Sequence, residues 1–298
     1  MKVDILMPTY NGGLFLREQL DSIIVQTHKD WTLKIRDDGS SDTTTVIIND
    51  YKNKYPDKIK VLTDNKGRVG VINNCSLLLS KSTADYIMFC DQDDVWLPFK
   101  IEKTLEKMLE IEKQRPGIPI LVHTDMKVTD SELNVVSDSF FEYQHINPEI
   151  KSINRLLVQN NVTGCTSMFN LALKKKITLP IPKNILMHDW YLALNASLFG
   201  SIEYMPKPTM LYRQHSLNSV GAKKYNVRYM FKKLINYLNE NSLYKCQLQA
   251  KELNTDNEAV REFSNLNKNS FFNRKLKTFK YGFFKSGLLR NVCLLVVI

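Results

Sequence analysis

Cysteine is scarce in this sequence and never paired. The five present (Cys75, Cys90, Cys165, Cys246 and Cys293) are scattered through 298 residues with no CxxC spacing. Disulfide frameworks and cysteine zinc sites lose their support, and a reducing cytosol is the expected setting. Long apolar runs are also missing: no stretch reaches the ~18 residues of a membrane-crossing helix. The first apolar run, Val3 to Met7, is closed by Pro8 and is too short for a signal peptide. GxGxxG, GxxxxGK(S/T) and HExxH do not occur, which removes the main evidence for a dinucleotide oxidoreductase, a P-loop NTPase or a zinc protease. Gly12-Gly13 after the first strand is, by itself, an ordinary turn.

Excess charge is absent from the first three quarters of the chain. Residues 1–221 hold 26 basic and 26 acidic side chains, whereas residues 222–298 hold 15 Lys+Arg against 5 Asp+Glu. The whole net charge of +10 therefore lies in the tail, and the change near residue 221 is the boundary that the sequence offers.

The body reads as alternating strands and helices. Residues 3–7, 33–35, 60–63 and 86–90 are strand-like, and apolar residues at helical spacing occupy 14–26, 69–79 and the segment after Pro98. Such alternation predicts an α/β fold with a mostly parallel sheet covered by helices on both faces. Further strands are expected over 120–122, 164–170, 201–205 and 209–213, with a hairpin or edge strand over 133–141 and a helix over 189–198. A small helical region completes the chain.

Ligands of open α/β sheets bind beyond the carboxyl ends of the strands. Here Thr9-Tyr10-Asn11-Gly12-Gly13, Asp37-Asp38-Gly39-Ser40, Asp64-Asn65-Lys66-Gly67 and Asp91-Gln92-Asp93-Asp94 follow the first four strands in turn. Four polar ends delivered to one rim define a candidate site. The fourth cluster comes directly off a buried strand, where uncompensated carboxylates repel. Mg2+ or Mn2+ held by one or two carboxylates and by diphosphate oxygens resolves that repulsion. The plainer alternative is a solvated acidic turn capping the helix after Pro98.

Pro8-Thr9-Tyr10-Asn11, Asp37-Asp38-Gly39-Ser40-Ser41-Asp42 and Asp91-Gln92-Asp93-Asp94-Val95-Trp96 resemble, in order and spacing, the successive motifs of family 2 inverting glycosyltransferases of the GT-A fold. The resemblance covers residues 1–221. The DQDDxW form, with Tyr212-Arg213-Gln214-His215, is similar to the rhamnosyltransferase branch of bacterial polysaccharide synthesis. It implies metal-dependent transfer of a sugar from a dTDP- or UDP-sugar to a hydroxyl of a carbohydrate or lipid-linked glycan acceptor. L-rhamnose is the donor sugar that the branch resemblance suggests.

On this resemblance Pro8, Thr9, Tyr10, Asn11, Asp38, Asn65, Gly67, Asp91 and Gln92 surround the donor nucleotide, with Asp38 accepting the imide N–H of uracil or thymine. Asp37 is either a further member of that group or a structural carboxylate. Asp91 and Asp93 match the metal-binding pair, His215 is an additional ligand, and Arg213 pairs with the diphosphate. Where many relatives carry an arginine, Ile72 precedes Asn73-Asn74, so Lys66 or Arg68 is the substitute. Asp189, in His188-Asp189-Trp190, matches the general base, although a carboxylate opening a helix is also a cap. Trp96, Gly164, His188 and Trp190 make up the expected acceptor side, Trp190 offering a stacking plane unless it is a core indole.

The tail interleaves aromatics and lysines: Met230-Phe231, Leu234-Ile235 and Tyr237-Leu238 around Lys232-Lys233, then Phe271-Phe272-Asn273-Arg274-Lys275 and residues 279–285. This pattern suits an anionic membrane surface and implies peripheral attachment to the inner face of the cell membrane; a helical bundle packed on the catalytic domain is the plainer reading. Two other functions compete. A nucleotidyltransferase shares the sheet, aspartates and metal but wants a glycine-rich basic loop after its first strand. A nucleic-acid binder built on the tail is opposed by the electrically neutral body, and no nucleic-acid partner is expected.

Overall fold

Residues 1–216, 218, 221–225 and 242–298 are described by this computed structural model of the chain. The strand β1 (Val3–Thr9) sits inside the sheet, parallel to both β2 (Trp31–Asp37) and β4 (Tyr86–Phe89), while β3 (Ile59–Val61) extends β2 in the same sense. Because side chains alternate along a strand, β1 sends Val3, Ile5 and Met7 to one face and Leu6 to the other. Asp4 shares the second face with Leu6, paired with Lys34, and the strand is buried on both faces.

The first face is covered by α1 (Leu16–Ile24), α2 (Thr44–Lys54) and α4 (Lys100–Gln114), whose Leu16, Leu20, Ile23, Ile47, Ile101, Leu105 and Met108 pack on Val3, Ile5 and Met7. The second is covered by α3 (Val71–Ser80) and α8 (His188–Phe199). Of these, α1, α3, α4 and α8 are helices expected from the sequence, displaced by a residue or two at their ends.

The full sheet runs β3-β2-β1-β4-β8-β6-β9-β5, with β7 (Val135–Ser137) paired to β6. Beyond β4 the sheet becomes mixed: β8 (Ser167–Asn170) is antiparallel to both β4 and β6 (Ile120–Thr129), whereas β6 and β9 (Ser201–Arg213) are parallel. The two strands expected over 201–205 and 209–213 are thus one, with register shifts against β6 around Asp125. The segment expected as strand from 164 begins instead as a 3-10 turn, Gly164–Thr166. The expected edge element over 133–141 splits into β7 and the short α5 (Phe140–Gln144), capped by Ser139, which accepts the Glu142 N–H. The short strand β5 (Val95–Trp96) pairs antiparallel with β9 and brings the acidic turn beside Arg213. Two further short helices, α6 (Ile153–Leu156) and α7 (Leu171–Lys174), lie between β7 and α8.

The carboxyl-terminal helices α9 (Ser242–Lys251), α10 (Glu258–Ser264), α11 (Phe271–Tyr281) and α12 (Leu288–Val297) follow. Leu243, Cys246, Val260, Phe263, Phe283 and Leu294 join the same core as Leu78 of α3 and Leu192 of α8. The boundary near residue 221 is therefore a change of charge, and apolar packing crosses it. The aromatic and basic residues 230–238 lie outside the described residues. No helix among the described residues is long and apolar enough to cross a membrane.

Candidate active site

The rim expected from the sequence forms at the carboxyl ends of β1, β2, β3 and β4, and side chains stitch its loops together. Arg36, at the end of β2, is buried and grips Asp64 bidentately, Nε to Oδ2 and Nη2 to Oδ1, both at 2.9 Å. It also donates to Asp38 Oδ1 at 2.8 Å and to the Gly67 carbonyl at 3.0 Å. Asp38 in turn accepts the backbone N–H groups of Val69 and Gly70, both at 2.8 Å. The buried Asp38 thus holds the loop leading into α3, leaving acceptor capacity on Oδ2. Asn65 is exposed on that loop, and Gly67 takes a positive φ of 63°.

Asp37 resolves in favour of the structural alternative. Its carboxylate accepts from Thr9 Oγ1, Ser40 Oγ, Gly39 N–H and Ser40 N–H, so both oxygens are committed to the turn after β2. The buried Thr9 is committed with it, and Pro8 stays part-buried one residue before. Asn11, at φ 47°, receives Ser41 N–H on its side-chain oxygen while its own N–H donates to Ser40 Oγ. Tyr10 and Gln92 exchange two hydrogen bonds, Tyr10 N–H to Gln92 Oε1 at 2.8 Å and Gln92 Nε2 to the Tyr10 carbonyl at 2.9 Å. A Cβ on Gly12 would lie 2.4 Å from the Gln92 side chain, so this clasp requires glycine there. The Arg68 guanidinium stacks 4.0 Å from the Tyr10 ring centroid. Of the two proposed substitutes for the missing arginine, Arg68 is thereby placed on the rim.

The acidic turn is not a solvated cap. One oxygen each of Asp91 and Asp94 and the sulfur of Cys165 all lie within 4.8 Å of one another. Asp94 is fully buried; its Oδ1 accepts Arg213 N–H at 3.1 Å and its Oδ2 has no hydrogen-bond partner. Burial, together with neighbouring Asp93, pushes Asp91 up to about 7, and burial raises Asp94 well above the usual carboxylate range. Asp93 is raised by burial, while His215, whose Nε2 lies 2.9 Å from Asp93 Oδ2, pulls it the other way.

Crowded carboxylates and an orphaned buried oxygen are what a divalent cation satisfies. The oxygen donors fit Mg2+ or Mn2+; the Cys165 thiol, held protonated by burial, is a poor ligand for such hard ions. Behind the cluster lies Lys100, fully buried and donating to Thr209 Oγ1 at 3.0 Å. Burial lowers its ammonium to about 8, and Asp94 counts among the groups that oppose the shift.

Asp189 opens α8 on the other side. Its Oδ2 accepts Gly164 N–H at 3.0 Å, and its Oδ1 accepts Trp190 N–H at 2.6 Å and Asn160 Nδ2 at 3.1 Å. Burial raises its pKa. His188 is buried beside it, edge-on to Phe89, and burial lowers its pKa.

Four expectations need correction. Arg213 does not reach toward a diphosphate: it is 2% exposed, its Nε donates to the Asp93 carbonyl at 2.9 Å, its Nη1 to the Ser131 carbonyl at 2.6 Å, and its Nη2 pairs with Glu18. It ties the acidic turn to α1. Trp96 is 1% exposed in the core, with the Lys100 ammonium 4.9 Å from its ring centroid, and offers no face to an acceptor. Gly164 is small for the sake of His188, since a Cβ there would lie 2.8 Å from His188 Nε2. Trp190 is part-buried against the core and donates its indole N–H to the Leu156 carbonyl at 2.7 Å, so its ring is fixed in the wall. Arg36, Lys100 and Cys165 were not singled out from the sequence; an arginine directly before a paired Asp-Asp in a strand was the one available signal.

A rim of four strand ends, a part-buried acidic cluster and a further, buried carboxylate at the start of α8 are the layout of a nucleotide-sugar transferase of the GT-A type. Solved structures agree in fold: S. aureus TarS (residues 1–349) superposes with a TM-score of 0.59 at 20% identity, covering 89% of this chain and 71% of that one. A mannosyltransferase from Pyrobaculum calidifontis, PcManGT, solved with GDP-Man and Mn2+, superposes with a TM-score of 0.56 at 14% identity over 99% of this chain and 78% of that one.

The model of glycosyl transferase family 2 matches residues 4–178, and the chain belongs to that family of glycosyltransferases. A relative from Shigella flexneri, described as dTDP-rhamnosyl transferase RfbG, is 29% identical over 230 residues, 72% of this chain and 74% of the relative. Alignments with further relatives span as little as 59% of those proteins.

Proposed function

We propose that the chain catalyses cation-dependent, inverting transfer of a hexosyl group from a dTDP- or UDP-sugar to a hydroxyl of a growing cell-surface polysaccharide or lipid-linked glycan, at the inner face of the cell membrane. The observation that carries this reading is the turn Gly164-Cys165, which binds Asp189 through its backbone and faces the Asp91–Asp94 cluster through its sulfur. The groups read here as proton acceptor and cation ligands are thus both contacted by one short segment.

In this reading the acceptor hydroxyl gives its proton to Asp189 as its oxygen bonds to C1 of the sugar. The C1–O bond to the diphosphate breaks, and the electron pair leaves with the nucleoside diphosphate. Asp91, Asp93 and Asp94 would hold Mg2+ or Mn2+, with His215 as a further ligand through Asp93's side of the site; the ion supplies positive charge against the departing diphosphate. Tyr10, Asn11, Asn65, Gly67, Arg68 and Gln92 would line the nucleotide, with Asp38 Oδ2 meeting the base. The 29% identity to a protein described as a dTDP-rhamnosyl transferase favours L-rhamnose as the transferred sugar.

Thermal-shift titration with a panel of nucleotide sugars, with and without Mn2+, tests this reading, since stabilisation reports affinity. Stabilisation by a dTDP- or UDP-sugar that grows with Mn2+, and release of a nucleoside diphosphate on adding acceptor, are expected. Indifference to every activated sugar, or release of pyrophosphate as from a nucleotidyltransferase, overturns it.

A further inference from the structure

Helix α11 is built inside out. Phe272, Leu276 and Phe279 recur at i, i+4 and i+7, the spacing of a stripe that normally faces a core, yet they are 82%, 67% and 60% exposed. The buried side of the helix is represented by Thr278 alone. Helix α12 repeats the pattern: Leu288, Val292 and Val296, each four residues apart, are all exposed, while Arg290 and Leu294 point inward. Neither stripe is unpacked for want of a core, because Phe283, between the two helices, is fully buried against Phe263.

The charges around these stripes are of one sign. After Glu262 the remaining 36 residues hold seven Lys or Arg and no acidic side chain. On α11, Lys275 and Lys280 flank the Phe272–Leu276–Phe279 stripe by helical geometry; their ammonium groups lie 4.9 Å from the Phe271 ring and 5.0 Å from the Tyr281 ring. Lys277 is turned away and pairs with Glu262 at 2.6 Å.

From this arrangement we propose that the outward faces of α11 and α12 are a docking surface for an anionic phospholipid bilayer, Phe272, Leu276, Phe279, Leu288 and Val292 entering the headgroup boundary and Lys275 and Lys280 meeting lipid phosphates. An aromatic and aliphatic stripe flanked by lysines is the composition that binds such an interface. A second copy of the chain is a poor occupant, since it would set lysine against lysine. The proposal rests on the glycosyltransferase reading only for its purpose, which is to hold the active site near a lipid-linked acceptor.

Co-sedimentation of the full chain with vesicles of phosphatidylcholine alone and of phosphatidylcholine with phosphatidylglycerol tests it, in the absence of nucleotide sugar. Binding to the anionic vesicles that weakens as salt rises is expected. The triple variant Phe272→Ser, Leu276→Ser, Phe279→Ser should abolish it, and Lys275→Gln with Lys280→Gln should lower partitioning about tenfold or more. Phe272, Leu276, Phe279 and Lys280 are solvent-exposed and Lys275 is half-buried on the surface, so both variants should keep the wild-type melting temperature and donor-induced stabilisation. Equal binding to both vesicle types, no binding, or loss of the exposed face into a concentration-dependent dimer seen by light scattering would each overturn the proposal. A chain that binds vesicles but no nucleotide sugar would fail the proposed function and leave this surface standing.

Discussion

The Gly164 amide donates to Asp189 Oδ2 at 3.0 Å, and the residue after Gly164 places its sulfur within 4.8 Å of carboxylate oxygens on Asp91 and Asp94. Two carboxylate environments are therefore registered to a single 3-10 turn, Gly164–Thr166. A shift of that turn moves both, so under the proposed function the spacing between the proton acceptor and the cation ligands is a property of one local structure.

Asp189→Asn keeps the side-chain shape and an oxygen acceptor while removing the base. We expect transfer to fall about 10²–10⁴-fold, with donor affinity changed by less than about twofold, measured by steady-state kinetics and by calorimetry with the nucleotide sugar. Burial raises the Asp189 pKa, and the base must be deprotonated to act. The acid limb of kcat should accordingly lie above the ordinary carboxylate value and vanish in the variant. Weakened donor binding in place of lost turnover would assign Asp189 to capping α8.

Asp93→Ala removes the carboxylate facing His215 and should eliminate the Mn2+-dependent part of donor stabilisation in a thermal-shift assay. His215→Ala should reduce that part and leave some of it. Unchanged Mn2+ response in Asp93→Ala would transfer the cation to Asp91 and Asp94 alone.

Arg36→Met strands Asp38 and Asp64. Breaking a buried charge pair by removing one partner costs about 3–5 kcal/mol, to be read from urea unfolding. The pH dependence follows from the same contact. Hydrogen bonding from Arg36 lowers Asp64 to about 2, below its unfolded value of 3.8. Its contribution is therefore complete above about pH 4 and is lost as pH falls toward 2. The variant should lose this part of the acid dependence.

Gly12→Ala places a methyl group where the Gln92 side chain now lies, 2.4 Å away. Gln92 can swing clear, so the expected stability loss is small, about 1 kcal/mol for the broken Tyr10–Gln92 clasp. Donor affinity should drop more than stability, and an unchanged nucleotide-sugar Kd would separate the clasp from the donor site.

Local pattern made the first four strands, their helices and the polar strand ends legible. Leu16, Leu20 and Ile23 announce α1 by period, and Asp91 to Asp94 announce a site by following a buried run. Partners distant in sequence were not legible. Nothing near Arg36 says that Asp64, 28 residues on, will take its guanidinium, and nothing near Asp94 points to Cys165. Arg213 and Trp96 were misread for the same reason: a cation in a loop and an indole after an acidic turn suit a ligand until tertiary packing supplies carbonyls for the one and a core for the other. Asp37 and Gly164 show the finer version, where the residue type was apt but its beneficiary was a neighbouring turn or ring.

Phe263, Leu243 and Leu294 of the carboxyl-terminal helices pack into the same apolar cluster as α3 and α8, so among the described residues there is no seam near residue 221 at which a recombinant graft could exchange these helices for others. Cutting there uncovers greasy surface on both pieces. Transplanting such helices would need the recipient's sheet-facing side chains to be recut along with them.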